Sequence, residues 1–216
     1  MNYFKFISIT VLCILISCSK NNAIKGSGNL ITQEQQLASF ENILSPSSIN
    51  VNLAYGKEQN FSITADDNIV SDITTTVVNN TLEINLIPNN YNDISVTATI
   101  RLPKITKFKA TGSGNHTISG FDNLENLTVE NTGSGLIRLD GASTNFNCIN
   151  TGSSKIEAFR FSTENCSINN SGSGDCEIFC TTNLSGMNTG SGSIFYKGNA
   201  SIDVTNSGSG SIINAN

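Results

Sequence analysis

The residues of this chain best placed to do chemistry are two glutamates, Glu157 and Glu177, which occupy the same position in consecutive copies of a short repeat. Glycoside hydrolases use two carboxyl groups about 5–10 Å apart, and stacked repeats would bring this pair close together. Arg138 occupies the same position one repeat earlier, and such mixing of charges is typical of a solvated sheet surface. The chain also has no Trp to serve as a platform for sugar rings. We therefore predict a non-enzymatic protein, with a carbohydrate-active β-helix as the alternative.

The histidine and the acidic cluster of this chain do not have the spacing of a metal site. His116, the one histidine, follows a repeat turn and has no second histidine at metal-ligand spacing, which favours a structural role. The Asp66-Asp67-Asn68 segment lacks the alternating oxygen ligands and the distal glutamate of an EF-hand loop. Asp66 is better explained as the cap of a short helical turn that runs to Ile73. We therefore predict neither a bound metal nor a cofactor.

Four cysteines lie within the repeats, at positions that the alternation of apolar residues turns inward. They are Cys148, Cys166, Cys176 and Cys180. An exported chain with an even number of cysteines permits disulfides. Cys166 and Cys180 lie at the far ends of the two strands of one repeat and would meet near a corner, so they are the candidate pair. Buried free thiols are the equal alternative, and Cys176 with Cys180 lacks the second pair that a zinc site needs.

A repeat of about twenty residues positions all of these groups. A Gly-Ser-Gly motif, once Gly-Ser-Ser, recurs six times, and its first glycines are 21, 19, 20, 18 and 18 residues apart. Apolar or small residues alternate with polar ones on both sides of each motif, which predicts two short strands per repeat. A unit of this length cannot close its own core, so successive coils must stack with parallel strands about 4.8 Å apart. The fold class is therefore an all-β parallel β-helix, or β-solenoid, with about 18–21 residues per coil.

Stacking also turns equivalent residues into columns. Two residues before the first glycine, five repeats have an asparagine: Asn131, Asn150, Asn170, Asn188 and Asn206. We predict an inward structural column in which each amide bonds to the coils above and below, because an unpaired buried amide costs about 1–3 kcal/mol. Eight residues after a first glycine lie three further glycines, Gly120, Gly141 and Gly198. They predict a second corner, where a positive φ is needed.

Three phenylalanines indicate a binding surface on the outside of the coils. Phe159 and Phe179 share the outward position seven residues after the first glycine, and Phe195 points outward in the next repeat. Contiguous exposed apolar side chains mark interaction sites. We predict a binding patch formed by these rings, unless a kink at Phe159-Arg160-Phe161 buries one of them.

The N-terminus has the features of an export signal followed by a lipid anchor. Lys5 precedes an apolar run from Phe6 to Ile16, which is too short for a permanent membrane span and typical of a signal peptide. Leu15-Ile16-Ser17-Cys18 resembles the bacterial lipobox, in which the cysteine is acylated and becomes the mature N-terminus. We predict a lipoprotein signal peptide at 1–17, a lipidated tether at 18–29 and one domain at 30–216, with irregular coils over 30–111 and regular repeats over 112–216.

Several short motifs occur in a fixed order from residue 25 onward. They are Lys25-Gly26-Ser27-Gly28-Asn29, Phe40-Glu41-Asn42-Ile43, Ile63-Thr64-Ala65-Asp66-Asp67-Asn68-Ile69, Asn79-Asn80-Thr81-Leu82-Glu83-Ile84, Leu102-Pro103-Lys104-Ile105 and the Gly-Ser-Gly series. This set resembles the auto-transporter adhesin head GIN domain lipoproteins of Bacteroidetes. The resemblance implies a right-handed parallel β-helix on a lipid anchor, and it implies no catalytic mechanism. Ser154, in place of a glycine, and the four repeat cysteines depart from the family pattern.

Charge narrows the range of partners. Asp and Glu outnumber Lys and Arg by 17 to 12, and the net charge of −5 disfavours nucleic acid as a partner. We predict an outer-membrane lipoprotein that contacts the membrane through its anchor and presents a rigid face to a glycan or protein partner, for adhesion or envelope scaffolding. The membrane face, periplasmic or external, stays open. End-to-end stacking of copies through strand edges near Ile212-Ile213 stays open as well.

Overall fold

The computed structural model of this protein describes residues 23–216, which form seventeen strands and one 3-10 helix, Val70–Asp72. The first ten strands are β1 (Ile24–Lys25), β2 (Leu30–Glu34), β3 (Asn42–Ser45), β4 (Asn50–Tyr55), β5 (Asn60–Asp66), β6 (Ile73–Val78), β7 (Thr81–Leu86), β8 (Tyr91–Asn92), β9 (Val96–Leu102) and β10 (Lys107–Ala110). The remaining strands are β11 (His116–Asn131), β12 (Ile137–Asn150), β13 (Ile156–Asn170), β14 (Cys176–Asn188), β15 (Ile194–Lys197), β16 (Ser201–Asn206) and β17 (Ile212–Asn214).

The repeats form a parallel β-solenoid of about five turns, which confirms the predicted fold class. Each of β11 to β13 pairs in parallel with the following strand, and β14 pairs with both β15 and β16. The register places Asn131 beside Asn150, Asn150 beside Asn170 and Asn170 beside Asn188. Residues at equal distance from the motif therefore form columns along the solenoid axis.

The two short strands expected in each repeat are joined in the central coils. Strands β11 to β14 are 13 to 16 residues long and continue around the second corner, with register shifts where they bend. Gly120 and Gly141 lie at this corner with φ of +76° and +142°, a backbone region that L side chains rarely adopt. In the last coil, β15 and β16 are separate strands.

The N-terminal part differs from a plain solenoid because several of its strands run antiparallel. Strand β5 pairs antiparallel with both β2 and β9, and β6 pairs antiparallel with β7. Asn79 and Asn80 join β6 to β7 with φ of +49° and +61°, which is the geometry of a type I′ hairpin turn. Alternation of apolar residues does not reveal strand direction, so the sequence did not distinguish these hairpins from irregular coils.

The predicted helical turn over 66–73 is reduced to the 3-10 helix Val70–Asp72, and Asp66 does not cap it. The carboxylate of Asp66 instead accepts hydrogen bonds from the backbone amides of Gly28 and Ser95, and each bond is 2.7 Å long. The side chain thus ties the start of the domain to the strand region before β9. The expectation of a helix cap at Asp66 is wrong, because its carboxylate is bonded to backbone amides of distant segments and not to the amides of the 3-10 helix.

Close approach of backbones explains the Gly-Ser-Gly motif. A Cβ atom on Gly172 would overlap the carbonyl oxygen of Gly152 in the preceding coil, and every first glycine from Gly133 onward shows the same relationship. The core inside the coils is filled with apolar side chains that are almost fully buried, including Phe108, Phe146 and Phe161. The tight turns and the filled core fix the positions of the outward side chains.

Candidate functional site

One outward face of the solenoid carries the residues that the sequence singled out for chemistry. The position five residues after the first glycine forms a column that runs through Thr117, Arg138, Glu157, Glu177 and Phe195. The column is continuous because these residues pair directly in the parallel register. The residues two positions further along each coil form a second outward column: Ser119, Asp140, Phe159, Phe179 and Lys197. We call the surface formed by these two columns the groove face.

Ion pairs connect Glu157 and Glu177 through a shared lysine. Lys155 Nζ lies 3.2 Å from Glu157 Oε1 and 2.7 Å from Glu177 Oε1, and Arg138 Nε lies 2.8 Å from Glu157 Oε2. The hydrogen bond from Arg138 lowers the pKa of Glu157 below its usual value, and the hydrogen bond to Glu177 raises the pKa of Lys155. A general acid for glycoside hydrolysis needs a raised pKa. Glu157 is held in the opposite, ionised state.

A bulge in β13 shapes the groove face. Ala158 pairs with Ile178 and Ser162 pairs with Phe179, so three residues of β13, Phe159 to Phe161, have no counterpart in β14. Phe161 turns into the core and is 1% exposed, while Phe159 stays on the outside. An open groove of about 470 Å³ results. Its lining includes Arg138, Asp140, Glu157, Phe159, Arg160 and Glu177.

The three phenylalanines of the predicted patch lie on the groove face, but they do not form an exposed apolar surface. Phe159, Phe179 and Phe195 are all half-buried. Lys197 Nζ lies 4.7 Å from the centre of the Phe159 ring, a cation–π distance. Phe179 pairs with Lys197, and Phe195 pairs with Glu177. The three rings are therefore less exposed than predicted, and Lys197 covers that of Phe159; a binding role for the three residues stays a prediction.

The five predicted asparagines form a ladder inside the first corner. Their side-chain amides donate along the column, from Asn131 to Asn150 over 2.7 Å, from Asn150 to Asn170 over 3.1 Å, from Asn170 to Asn188 over 3.1 Å and from Asn188 to Asn206 over 3.2 Å. The first four members are buried and Asn206 is exposed in the last coil. The geometry gives this column a structural role.

Sequence reasoning missed a second asparagine ladder on the outside. Its members lie seven residues before the first glycine, at Asn126, Asn145, Asn165 and Asn183. Their amides donate in the opposite direction, from Asn145 to Asn126 over 3.1 Å, from Asn165 to Asn145 over 3.3 Å and from Asn183 to Asn165 over 2.9 Å. The regular spacing of these asparagines was the signal that could have revealed the ladder.

The cysteines of the repeats are free thiols in the structure. Cys148, Cys166, Cys176 and Cys180 are buried and unpaired as disulfides. The candidate disulfide between Cys166 and Cys180 is therefore not formed. The thiol of Cys180 instead lies within hydrogen-bonding distance of the backbone oxygens of Glu164 and Asn183, at 3.2 and 3.1 Å, and shares its one hydrogen between them. Burial raises the pKa of Cys166 and of Cys180, which keeps both thiols protonated.

His116 is a core residue and does not belong to a metal or catalytic site. It occupies an inward position between Val51 and Ile137 and packs edge-on against Phe108, with ring centres 5.0 Å apart. Neither ring nitrogen has a hydrogen-bond partner among the residues that the structure describes. Burial lowers the pKa of His116 to about 4, so the imidazole is neutral at pH 7.

The carboxylates of the acidic segment Asp66-Asp67-Asn68 are hydrogen-bonded by other groups of the protein. Asp67 accepts hydrogen bonds from Ser27 Oγ over 2.6 Å and from Asn29 Nδ2 over 2.8 Å, and the Ser27 bond lowers its pKa. Within residues 23–216, no group of three or more His, Cys, Asp or Glu side chains has the arrangement of a metal site.

The same part of the chain contains no helix with the length and apolar character needed to cross a membrane. Cys18, the signal peptide and the start of the tether lie outside the described residues.

Comparison with known proteins places the chain among adhesin-like solenoids. The family model described as "Putative auto-transporter adhesin, head GIN domain" matches residues 39–200, which confirms the resemblance seen in the motifs. A putative adhesin from Bacteroides fragilis NCTC 9343 has a similar structure, with a TM-score of 0.73 and 24% identity over 89% of this chain and 100% of that one.

Two further solved structures share the fold at lower similarity. A putative lipid binding protein from Parabacteroides distasonis ATCC 8503 has a TM-score of 0.59 and 22% identity over 90% of this chain and 100% of that one. A putative adhesin from Parabacteroides merdae ATCC 43184 has a TM-score of 0.52 and 20% identity over 89% and 99% of the two chains. A search of curated proteins gave no match.

Proposed function

This chain belongs to the head GIN domain family, and from that premise we propose that it is a non-enzymatic lipoprotein of the cell envelope that presents its solenoid for adhesion. The partner would be a glycan or a protein surface, contacted along the rigid groove face. Repeated weak contacts along such a face raise the overall affinity without a deep pocket. Scaffolding between components of the bacterium's own envelope is the closest variant of this role.

We choose binding over catalysis because the carboxylates on the groove face are held in ion pairs. Glu157 is paired on both oxygens, with Arg138 and Lys155, and its pKa is lowered. Glu177 shares the same lysine. Carboxylates that are salt-bridged on a rigid ladder suit recognition of a polar surface, whereas proton donation to a leaving group requires a carboxyl that holds its proton.

Anchoring to the outer membrane is the second part of the proposal. The lipobox-like Leu15-Ile16-Ser17-Cys18 would yield a mature N-terminus at Cys18 with two or three acyl chains. More than one chain is needed for stable attachment, because a single acyl chain binds a membrane only marginally. Residues 24–29 of the predicted tether are bonded to the domain, through β1 and through the hydrogen bonds of Ser27 and Gly28 to Asp67 and Asp66. The polar residues between Cys18 and β1 would then hold the solenoid away from the lipid surface.

Membrane fractionation of a Cys18→Ser variant tests the anchor. We expect the wild-type protein in the membrane fraction and the variant in the soluble fraction, because the variant has no thiol to acylate. A Cys13→Ser variant is the matched control, since it alters a cysteine of the signal segment outside the lipobox. Equal membrane association of wild type and Cys18→Ser would contradict the lipid anchor.

The groove next to Glu157 and Glu177 favours one alternative, a carbohydrate-active β-helix. Its test is glycan turnover by the wild-type protein and by a Glu157→Gln/Glu177→Gln double variant. Turnover that disappears in a folded double variant would establish the enzyme. We expect the wild-type protein to release no product from any polysaccharide, because the lowered pKa of Glu157 disfavours the protonated form that a general acid needs.

A further inference from the structure

The groove on the groove face has the size and the lining of a small-ligand site. Its volume of about 470 Å³ falls within the range of about 300–1,000 Å³ that is typical of such sites. Binding sites usually combine an aromatic or apolar wall with a few converging polar groups. Here Phe159 forms the apolar wall, and Arg138 and Arg160 contribute guanidinium groups.

Both guanidinium groups keep donors that the protein does not use. Arg138 donates through Nε to Glu157, and its two terminal nitrogens have no partner among residues 23–216. Arg160 pairs with Asp140 through one terminal nitrogen only. The side chains of Arg138 and Arg160 are 60% and 83% exposed, so these donors face solvent in the groove. A guanidinium presents its donors as a planar fork that fits a carboxylate.

The carboxylates that line the groove are neutralised by neighbouring cations. Glu157 pairs with Arg138 and Lys155, and Glu177 pairs with Lys155. Lys197 adds a further positive charge over the Phe159 ring. The lining itself has two arginines and three carboxylates, the third being Asp140. With the adjoining Lys155 and Lys197, an anionic ligand would meet four cations and three carboxylates, although the whole chain has a net charge of −5.

A second groove shows the opposite electrostatics. This corner groove has a volume of about 370 Å³, and its lining includes Asp122, Glu125 and Glu164 but no Lys or Arg. An acidic ligand would be repelled there by three carboxylates. The contrast favours the groove face over the corner groove for an acidic ligand.

From this arrangement we infer that the groove face binds an acidic oligosaccharide, with a sugar carboxylate held by Arg138 and Arg160 and the apolar face of a sugar ring against Phe159. The inference rests on the proposed function, because it names the class of partner for the same face. The groove crosses four successive coils, from Thr117 to Glu177, which suits an extended chain of sugars.

Titration calorimetry on the lipid-free domain, residues 23–216, tests this inference with a tetramer of galacturonic acid. The methyl ester of the same tetramer is the neutral probe. We expect the acid to bind at least about tenfold more tightly than the ester, since loss of one charge-assisted contact changes affinity by about that factor. Higher salt should weaken binding of the acid and leave the ester unaffected.

Matched variants locate the binding. We expect Arg138→Gln and Phe159→Ala each to weaken binding of the acid about tenfold, while circular dichroism shows that both variants remain folded. Lys107→Gln is the charge control, because Lys107 forms an ion pair with Glu130, 2.6 Å long, away from the groove lining. Tyr55→Ala is the aromatic control, because Tyr55 is exposed in β4 and lies outside the groove lining.

Three outcomes would overturn the inference. They are failure of the wild-type domain to bind the acid tetramer, equal affinity for acid and ester, and equal loss of binding in the variants and their controls. None of these outcomes decides the proposed function, which concerns exposure and anchoring of the whole lipoprotein and is tested on intact cells. A protein that is anchored and exposed but does not bind the acid would retain the adhesin role with a different class of partner.

Discussion

Asn150 donates its side-chain amide to the side-chain oxygen of Asn170 over 3.1 Å, and both residues are completely buried. The same amide lies 3.2 Å from the backbone oxygens of Ser154 and Gly174, while its own oxygen accepts from Asn131. One side chain thus joins three successive coils at the corner. This connection makes the stacking of coils a hydrogen-bonded structure as well as a hydrophobic one.

Replacing Asn150 should therefore destabilise the whole solenoid. We expect Asn150→Ala to lower the free energy of unfolding by about 3 kcal/mol, because it leaves several buried polar groups without partners. Urea denaturation followed by circular dichroism measures the change. Asn145→Ala is the control: Asn145 belongs to the exposed ladder, where water replaces the lost bonds, so its cost should stay below about 1 kcal/mol. Equal costs for the two variants would contradict the structural role of the buried column.

The motif glycines should tolerate no side chain. We expect Gly172→Ala to cost about 3 kcal/mol or more, or to prevent folding, because the added Cβ would overlap the carbonyl oxygen of Gly152. Ser173→Ala, at the exposed neighbouring position, should change stability by less than about 0.5 kcal/mol. Thermal unfolding of both variants measures the difference. A Gly172→Ala protein as stable as wild type would show that the coils are not stacked as closely as described.

His116 should make the protein less stable at mildly acidic pH. Its pKa is about 4 in the folded state and 6.5 in the unfolded chain, so protonation favours unfolding. Above pH 6.5, His116 is neutral in both states and does not reduce the free energy of unfolding. As the pH falls from 6.5 toward 4, protonation of the unfolded chain lowers the free energy of unfolding by about 3 kcal/mol in total. Unfolding by urea between pH 7 and pH 4 measures this loss.

A His116→Ile variant isolates the contribution of this residue, because isoleucine also occupies the next inward position of the column, Ile137. We expect the variant to be at least as stable as wild type at pH 7 and to lack the part of the pH dependence between 6.5 and 4. Carboxylates with lowered pKa, such as Glu130 and Glu157, are unchanged in the variant and cancel in the comparison. Identical pH profiles for the two proteins would contradict a buried neutral imidazole.

The repeat cysteines should be unreactive in the folded domain and reactive after unfolding. All four are buried, and burial raises the pKa of Cys166, so little nucleophilic thiolate is present. We expect no labelling of the native lipid-free domain by a thiol reagent and labelling of four thiols in denaturant without reductant. Labelling of only two thiols in denaturant would reveal a disulfide, and mass spectrometry would identify the pair.

The repeat made much of the fold predictable, because a constant distance between motifs determines which residues stack. The columns of asparagines and of Glu157 with Glu177 follow from that distance alone. The groove does not follow from it. The spacing of 20 residues from Gly152 to Gly172, against 18 from Gly172 to Gly190, shows that one coil is longer. It does not show that the extra residues form the bulge at Phe159 to Phe161, because packing of Phe161 into the core decides their place.

Location on the cell tests the adhesin account most directly. Intact and lysed cells would be treated with protease, and the solenoid would be followed with an antibody alongside a periplasmic marker protein. We expect digestion of the solenoid on intact cells, with the marker intact, because adhesion requires the groove face to be outside the outer membrane. Protection of the solenoid until the cells are lysed would place it in the periplasm and contradict the adhesin function.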